Sequence, residues 1–177
     1  ITAAAHAEEI FNEPEERYVP EGAVVLNVIA GDVVFENTSF GYGEGQLPVL
    51  SKINFHVKPG EIIAFVGESG VGKSTMISLI PGYYFPTEGA VLIDGVDTRK
   101  LHLTRLREQI AVVPQEVALF NDTVKENIRY GTPQATDEDV AHAAKEAHIA
   151  EFISTLPDGY NAIVGERGIK LSVGQKH

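Results

Sequence analysis

An α/β fold is what this sequence predicts, and three observations carry the prediction. Short apolar or β-branched runs alternate with short helical ones between residues 31 and 115. A glycine-rich run, "GESGVGKS", stands between an apolar run and a helical one. After Gln115 the strand pattern stops and helical periodicity takes over. The chain therefore divides into a linker or tail (1–30), a core (31–115) whose N-terminal β part is antiparallel, and a helical subdomain (116–177).

The elements follow in order. Residues 1–12, "ITAAAHAEEIFN", are rich in Ala and Glu and read as a helical tail, and "EPEERYVPEG" after them has linker composition. In "VLSKINFHV", Ile53, Phe55 and Val57 alternate with Asn54, His56 and Lys58, the pattern of a half-solvated strand. Pro59-Gly60 turns the chain into "EIIAFVG", whose unbroken apolar character suits a strand covered on both faces. "KSTMISLI" is then a helix, "AVLIDG" a strand, "LTRLREQ" a helix and "IAVVPQ" a strand. Beyond Gln115, "DTVKENIRYG" is helical. So is the whole of "TDEDVAHAAKEAHIAEFISTLPDG", opened by a capping box from Thr136 to Asp139 and closed at Leu156-Pro157-Asp158-Gly159.

Composition narrows the function. The 177 residues are 44% hydrophobic, enough for a core, and carry a formal charge of -11, which argues against coating nucleic acid or an anionic membrane. Without cysteine there is no disulfide or thiolate site. The six histidines lack paired metal-ligand spacing and are read as structural or solvated. No apolar run approaches the ~18 residues of a membrane span, and no basic-then-apolar leader opens the sequence, so this piece is expected to be soluble.

"GESGVGKS" fits G-x-x-x-x-G-K-[ST], the phosphate loop of a P-loop NTPase core. Gly67, Gly70 and Gly72 would let the backbone curl so that N–H groups converge on phosphate oxygens. Lys73 would bring a point charge to the β- and γ-phosphates, and the Ser74 hydroxyl suits Mg²⁺. Glu68, Ser69, Val71 and Thr75 complete the nucleotide-contacting set. A phosphate loop does not specify the reaction, which other motifs must supply.

Several motifs in order give the chain, from about Gly31 to His177, a resemblance to the ATP-binding cassette (ABC) family, specifically the nucleotide-binding domain of exporter-type transporters. The resemblance implies an ABC-type ATPase fold and assigns roles. Tyr42, in "SFGY", matches the aromatic that stacks on adenine, with Val49 beside the same ring. Gln115, in "VVPQ", matches the glutamine that reaches Mg²⁺ and the attacking water. "VGERG" followed by "KLSVGQ" is similar to the exporter X-loop and the ABC signature. Leu171, Ser172, Val173, Gly174 and Gln175 would then contact ATP held by the phosphate loop of a second nucleotide-binding domain in a head-to-tail dimer. Glu166 and Arg167 would face the transmembrane domain. Mg²⁺ and ATP are the implied cofactors, and a place on the cytoplasmic face of a membrane the implied location, with 1–30 leading from an upstream membrane domain.

Two departures stand out. Val173 replaces the usual glycine of the signature, and a β-branched side chain cannot relieve a tight backbone approach. The Walker B aspartate, the adjacent catalytic glutamate and the switch histidine have no counterpart up to His177. No catalytic base is assigned, Glu116 beside Gln115 reads as a solvated loop carboxylate, and the chain alone is expected to bind ATP without hydrolysing it. In this family the Walker B strand lies beside the phosphate-loop strand. Two alternatives stay open: a non-transporting ABC ATPase of the DNA-repair or translation type, disfavoured by the acidic balance and the compact stretch between Gln115 and Leu171, and a non-catalytic nucleotide-binding module.

Overall fold

The computed structural model describes residues 19–43, 47–115 and 117–165. It divides the chain into two compact units, Ile1–Ala111 and Val112–His177.

The first unit is built on strands β1 (Val33–Phe40), β2 (Leu50–Val57), β3 (Glu88–Ile93) and β4 (Val96–Asp97). They form a four-stranded sheet in the order β2-β1-β3-β4, antiparallel throughout. The period-two alternation expected of β2 is present: Ile53, Phe55 and Val57 are half-buried, whereas Asn54 and His56 face solvent. Phe35 pairs in register with Phe55 and Val91, and its ring stacks on Phe55 at 4.3 Å between centroids. One extra residue bends β1 near Asn37, which takes a positive φ of 44°. Thr38, buried at this bend, satisfies its hydroxyl by donating to the Ala90 carbonyl at 2.7 Å.

Helix α1 (Lys73–Leu79) lays Leu79 on the sheet, completing a core of Phe35, Phe40, Leu50 and Val91. A second cluster joins Ile93 to Leu101, Leu103 and Leu106, the last two from helix α2 (Leu103–Arg107). Between β3 and β4 the chain turns on Asp94-Gly95, both at positive φ (49° and 78°), as a two-residue hairpin of the right twist demands. The Asp94 carboxylate accepts from the N–H groups of Ala30, Gly31 and Asp32 at 2.7, 3.1 and 2.9 Å. Gln109 accepts from the Ile29 N–H and donates to the Leu26 carbonyl, and Val24 exchanges backbone bonds with Lys100 and His102. Residues 24–32 are thus held to this unit by the side chains of Asp94 and Gln109 and by backbone bonds at Val24.

Two expected strands are not formed. Residues 61–66, from "EIIAFVG", and 111–115, from "IAVVPQ", lie outside every helix and strand. Among the described residues no ladder includes them. A strand covered on both faces needs neighbours to take its N–H and C=O groups. Without that pairing Ile62 stands 98% exposed and Val113 71%.

The second unit packs α3 (Val124–Arg129), α4 (Asp137–Glu146) and α5 (Ala150–Thr155) around Val124, Ala144, Ile153 and Val164. The capping box forms as the sequence predicts: the Thr136 hydroxyl accepts from the Asp139 N–H at 3.2 Å, and the Asp139 carboxylate accepts from the Thr136 N–H at 2.9 Å. What the sequence presents as one helix is two. His148 adopts φ 56°, its N–H donating to the Lys145 carbonyl while the Ile149 N–H donates to Ala144. That pair of bonds is a Schellman ending, with histidine in the position glycine usually fills. Arg129 ties α3 to the start of α4 by donating to the Ala135 carbonyl, Glu126 and Asp137. Among the described residues no helix is long and apolar enough to cross a membrane.

Candidate functional site

The glycine-rich run folds as a loop that only its glycines permit. Gly67, Gly70 and Gly72 all have positive φ, at 153°, 85° and 96°. A side chain at Gly70 would meet open space, but at Gly72 a Cβ would fall 2.6 Å from a Leu50 methyl and 3.3 Å from the Val49 carbonyl. Gly72 therefore serves two ends: it reverses the chain into α1 and lets the loop close on the start of β2. Leu50 is buried there and Val49 stands at its rim, so the first residue of β2 and the one before it wall the loop.

Lys73, the first residue of α1, folds its amine back across the loop and donates to the carbonyls of Gly67 at 2.9 Å and Glu68 at 2.5 Å. The ammonium is thus carried by the loop itself, on carbonyls that fix its position. Glu68, Ser69, Val71 and Ser74 are exposed, and Thr75 is buried on the inner side of α1. The Thr75 hydroxyl meets that of Tyr42 at 2.9 Å. This bond joins the expected base-stacking residue to the phosphate loop. The Tyr42 ring also lies nearly perpendicular to Phe40, at 4.9 Å, and to Tyr84, at 5.2 Å.

Tyr42, Val49 and residues 67–75 are therefore brought together within the first unit. Gln115 belongs to the second unit, where it is exposed on a stretch outside helix and strand. Glu116, Glu166, Arg167 and the signature residues Leu171, Ser172, Val173, Gly174 and Gln175 lie outside the described residues. Among the described residues there is no group of three or more His, Asp and Glu able to hold a metal ion.

Sequence reading missed two contributors. In the sequence Leu50 is an ordinary strand residue, and only the fold brings its methyl over Gly72. Tyr84 gave one usable signal: with Tyr83 and Phe85 it forms an aromatic run straight after the Pro81-Gly82 stop of a short helix, where a solvated turn is the ordinary choice. The residues present fit a nucleoside triphosphate and its magnesium ion. The loop offers curled backbone, a cation held on its first two carbonyls and an exposed hydroxyl on Ser74.

The ABC transporter family model matches residues 50–177. Two curated relatives named ATP-dependent lipid A-core flippase are similar over nearly the whole chain. That from Chromohalobacter salexigens is 47% identical over 176 residues, 99% of this chain, and that from Methylobacillus flagellatus 49% identical over 177 residues, 98% of it. The chain spans about 30% of the length of each. A solved structure described as a bacterial Atm1-family ABC exporter with ATP bound superposes with a TM-score of 0.87 at 42% identity, over 98% of this chain and 30% of that one. A glycine-shaped phosphate loop ahead of α1, the antiparallel sheet on which α1 packs and these matches give one conclusion: the chain belongs to the ABC transporter family and has the family's P-loop ATPase fold.

Proposed function

We propose that this chain is the ATP-binding part of an ABC exporter, in which ATP binding and hydrolysis drive substrate movement across a membrane. The observation that carries the reading is the phosphate loop: three glycines at positive φ, with the Lys73 amine held on the Gly67 and Glu68 carbonyls. Lys73 and the loop N–H groups would hold the triphosphate, Ser74 and Gln115 the magnesium ion, and Tyr42 with Val49 the base. The ion supplies charge neutralisation for phosphoryl transfer when bound. Residues 31–115 would form the nucleotide-binding core and 116–177 the helical subdomain that ends in the signature. Residues 1–30 would lead in from a membrane domain, and the whole would sit on the cytoplasmic face. A second copy or a related domain would close head-to-tail over the ATP, with Glu166 and Arg167 toward the membrane domain.

By itself the 177-residue chain is expected to bind MgATP and not turn it over, because the family's water-activating carboxylate has no counterpart in it. Calorimetric titration with MgATP tests the binding. Lys73→Ala removes a charge-assisted donor and should weaken MgATP roughly 10- to 100-fold. An unchanged affinity in that variant sinks the assignment of the loop. Phosphate release measured on the same preparation should stay at the blank, and turnover that Lys73→Ala abolishes would overturn the second expectation.

A further inference from the structure

We propose that Tyr84 is a positioning residue: with the Thr75 hydroxyl it sets the orientation of the Tyr42 ring, and base affinity depends on it although it belongs to neither the loop nor the base contact. The proposal rests on the reading of Tyr42 as the residue that stacks on the base.

The geometry points to Tyr84 because Tyr42 has few other restraints. Tyr42 is 56% exposed, and an exposed tyrosine that must stack loses side-chain freedom on binding, which subtracts from affinity unless the ring is already held. Three contacts hold it. Its hydroxyl meets Thr75, itself buried in α1, at 2.9 Å. Phe40, a core residue at the end of β1, lies at 4.9 Å and 86° to it. Tyr84 lies at 5.2 Å and 89°, and also touches Phe40 at 5.4 Å, so the three rings close a triangle. Near-perpendicular pairs at these separations are the favoured aromatic geometry.

Tyr84 is a firm support because the turn that carries it is itself fixed. The Arg107 guanidinium donates to the carbonyls of Pro81 at 2.9 Å and Gly82 at 2.8 Å, and its carbon lies 5.0 Å from the centre of the Tyr83 ring. A side chain at Gly82 would meet a Leu103 methyl at 2.9 Å, so the turn sits directly on α2. The turn is thus anchored through α2 as well as by its backbone bonds to Ser78 and Leu79 at the far end of α1, away from the phosphate loop. Removing Tyr84 should loosen the base contact and leave the phosphate contact alone.

That separation makes the test. Magnesium tripolyphosphate carries the phosphates without a base, and it is titrated beside MgATP on the full chain. Tyr84→Leu, which keeps apolar bulk, should weaken MgATP about 3- to 10-fold and leave tripolyphosphate unchanged, while Tyr84→Phe should restore the parent MgATP affinity. A Tyr84→Leu chain with unchanged MgATP affinity overturns the proposal. Parallel weakening of both ligands overturns it too, since that is the mark of a merely structural role. Tyr42→Ala separates this proposal from the reading beneath it. If that variant binds MgATP like the parent, the base-stacking role has failed and the proposal with it. If it binds MgATP more weakly while Tyr84→Leu does not, only the role of Tyr84 is lost.

Discussion

Within the first unit, Phe35 of β1 is 1% exposed, while Ile62, in the equally apolar segment that leads into the phosphate loop, is 98% exposed. Both belong to runs of β-forming residues. β1 has antiparallel partners on either side, whereas residues 61–66 have none among the described residues. Phe65 touches the ring of Phe55 at 5.4 Å, yet a cleft of about 460 Å³ remains among Val33, Phe55, Val57, Ile63 and Phe65. The contrast shows where burial comes from in this unit: apolar character makes a residue fit to be covered, and the ladder beside it decides whether it is.

The largest expected effect breaks or keeps that comparison directly. Phe35→Ala removes a ring packed against Phe55 and Val91 and should cost about 3–5 kcal/mol, enough to abolish cooperative unfolding of a marginal unit. Ile62→Ala should stay within about 0.5 kcal/mol of the parent, as exposed sites do. Denaturant melts of both variants decide it. A cost for Ile62→Ala near that for Phe35→Ala would mean the segment is covered in solution and the contrast is void.

A second pair sharpens the point at the level of backbone. Gly89 and Gly95 have similar positive φ, 75° and 78°. A Cβ on Gly89 would fall 2.2 Å from the Glu36 carbonyl oxygen and 2.3 Å from that of Asn37, where β3 crosses the bend in β1, while one on Gly95 would meet nothing within 4 Å. Gly95→Ala should therefore carry only the left-handed penalty, about 1–2 kcal/mol. Gly89→Ala should add overpacking against backbone that cannot yield, for about 2–5 kcal/mol in all. Equal costs in the same melts would show that β1 and β3 do not approach as closely as the sheet register requires.

The same distinction sets how much was legible in the sequence. Local devices were: the alternation of Ile53, Phe55 and Val57, the box from Thr136 to Asp139, and the glycines of the phosphate loop each follow from residues a few positions apart. The Asp94-Gly95 hairpin is legible in principle, since Asp-Gly is a strong two-residue turn signal, although "AVLIDG" by itself presents it as the end of a strand. Pairing was not legible. "EIIAFVG" has the composition of a buried strand whether or not a partner lies beside it. The break at His148 was hidden for another reason: its left-handed residue is not glycine, and the ending is fixed by backbone bonds from His148 and Ile149 that leave no compositional mark. In the site, the loop and Tyr42 came from motif spacing, but the bond between Tyr42 and Thr75 joins residues from different elements, and only the fold brings them together.

The smallest effect is expected where the contact is wholly local, at the start of α4. The Thr136 N–H and hydroxyl both donate to the Asp139 carboxylate, and these bonds, the backbone one foremost, hold its carboxyl below the ordinary value. Asp137 is lowered as well, chiefly by the hydrogen bond from Arg129. A carboxyl lowered by folding binds fewer protons in the native state than in the unfolded one. Its contribution is therefore fully present above the ordinary carboxylate range of about 4 and is lost as pH falls through the lowered value. Asp139→Asn should destabilise the second unit at pH 7 by an amount that shrinks as pH falls, the share of Asp137 being common to parent and variant and cancelling from the difference. Thr136→Ala, which removes the cap itself, should cost about 1 kcal/mol at neutral pH. Thermal melts followed by far-ultraviolet circular dichroism between pH 7 and pH 2 measure both. A difference between parent and Asp139→Asn that stays constant over that range would mean that the carboxylate does not close the box in solution, and the local half of the contrast would fall with it.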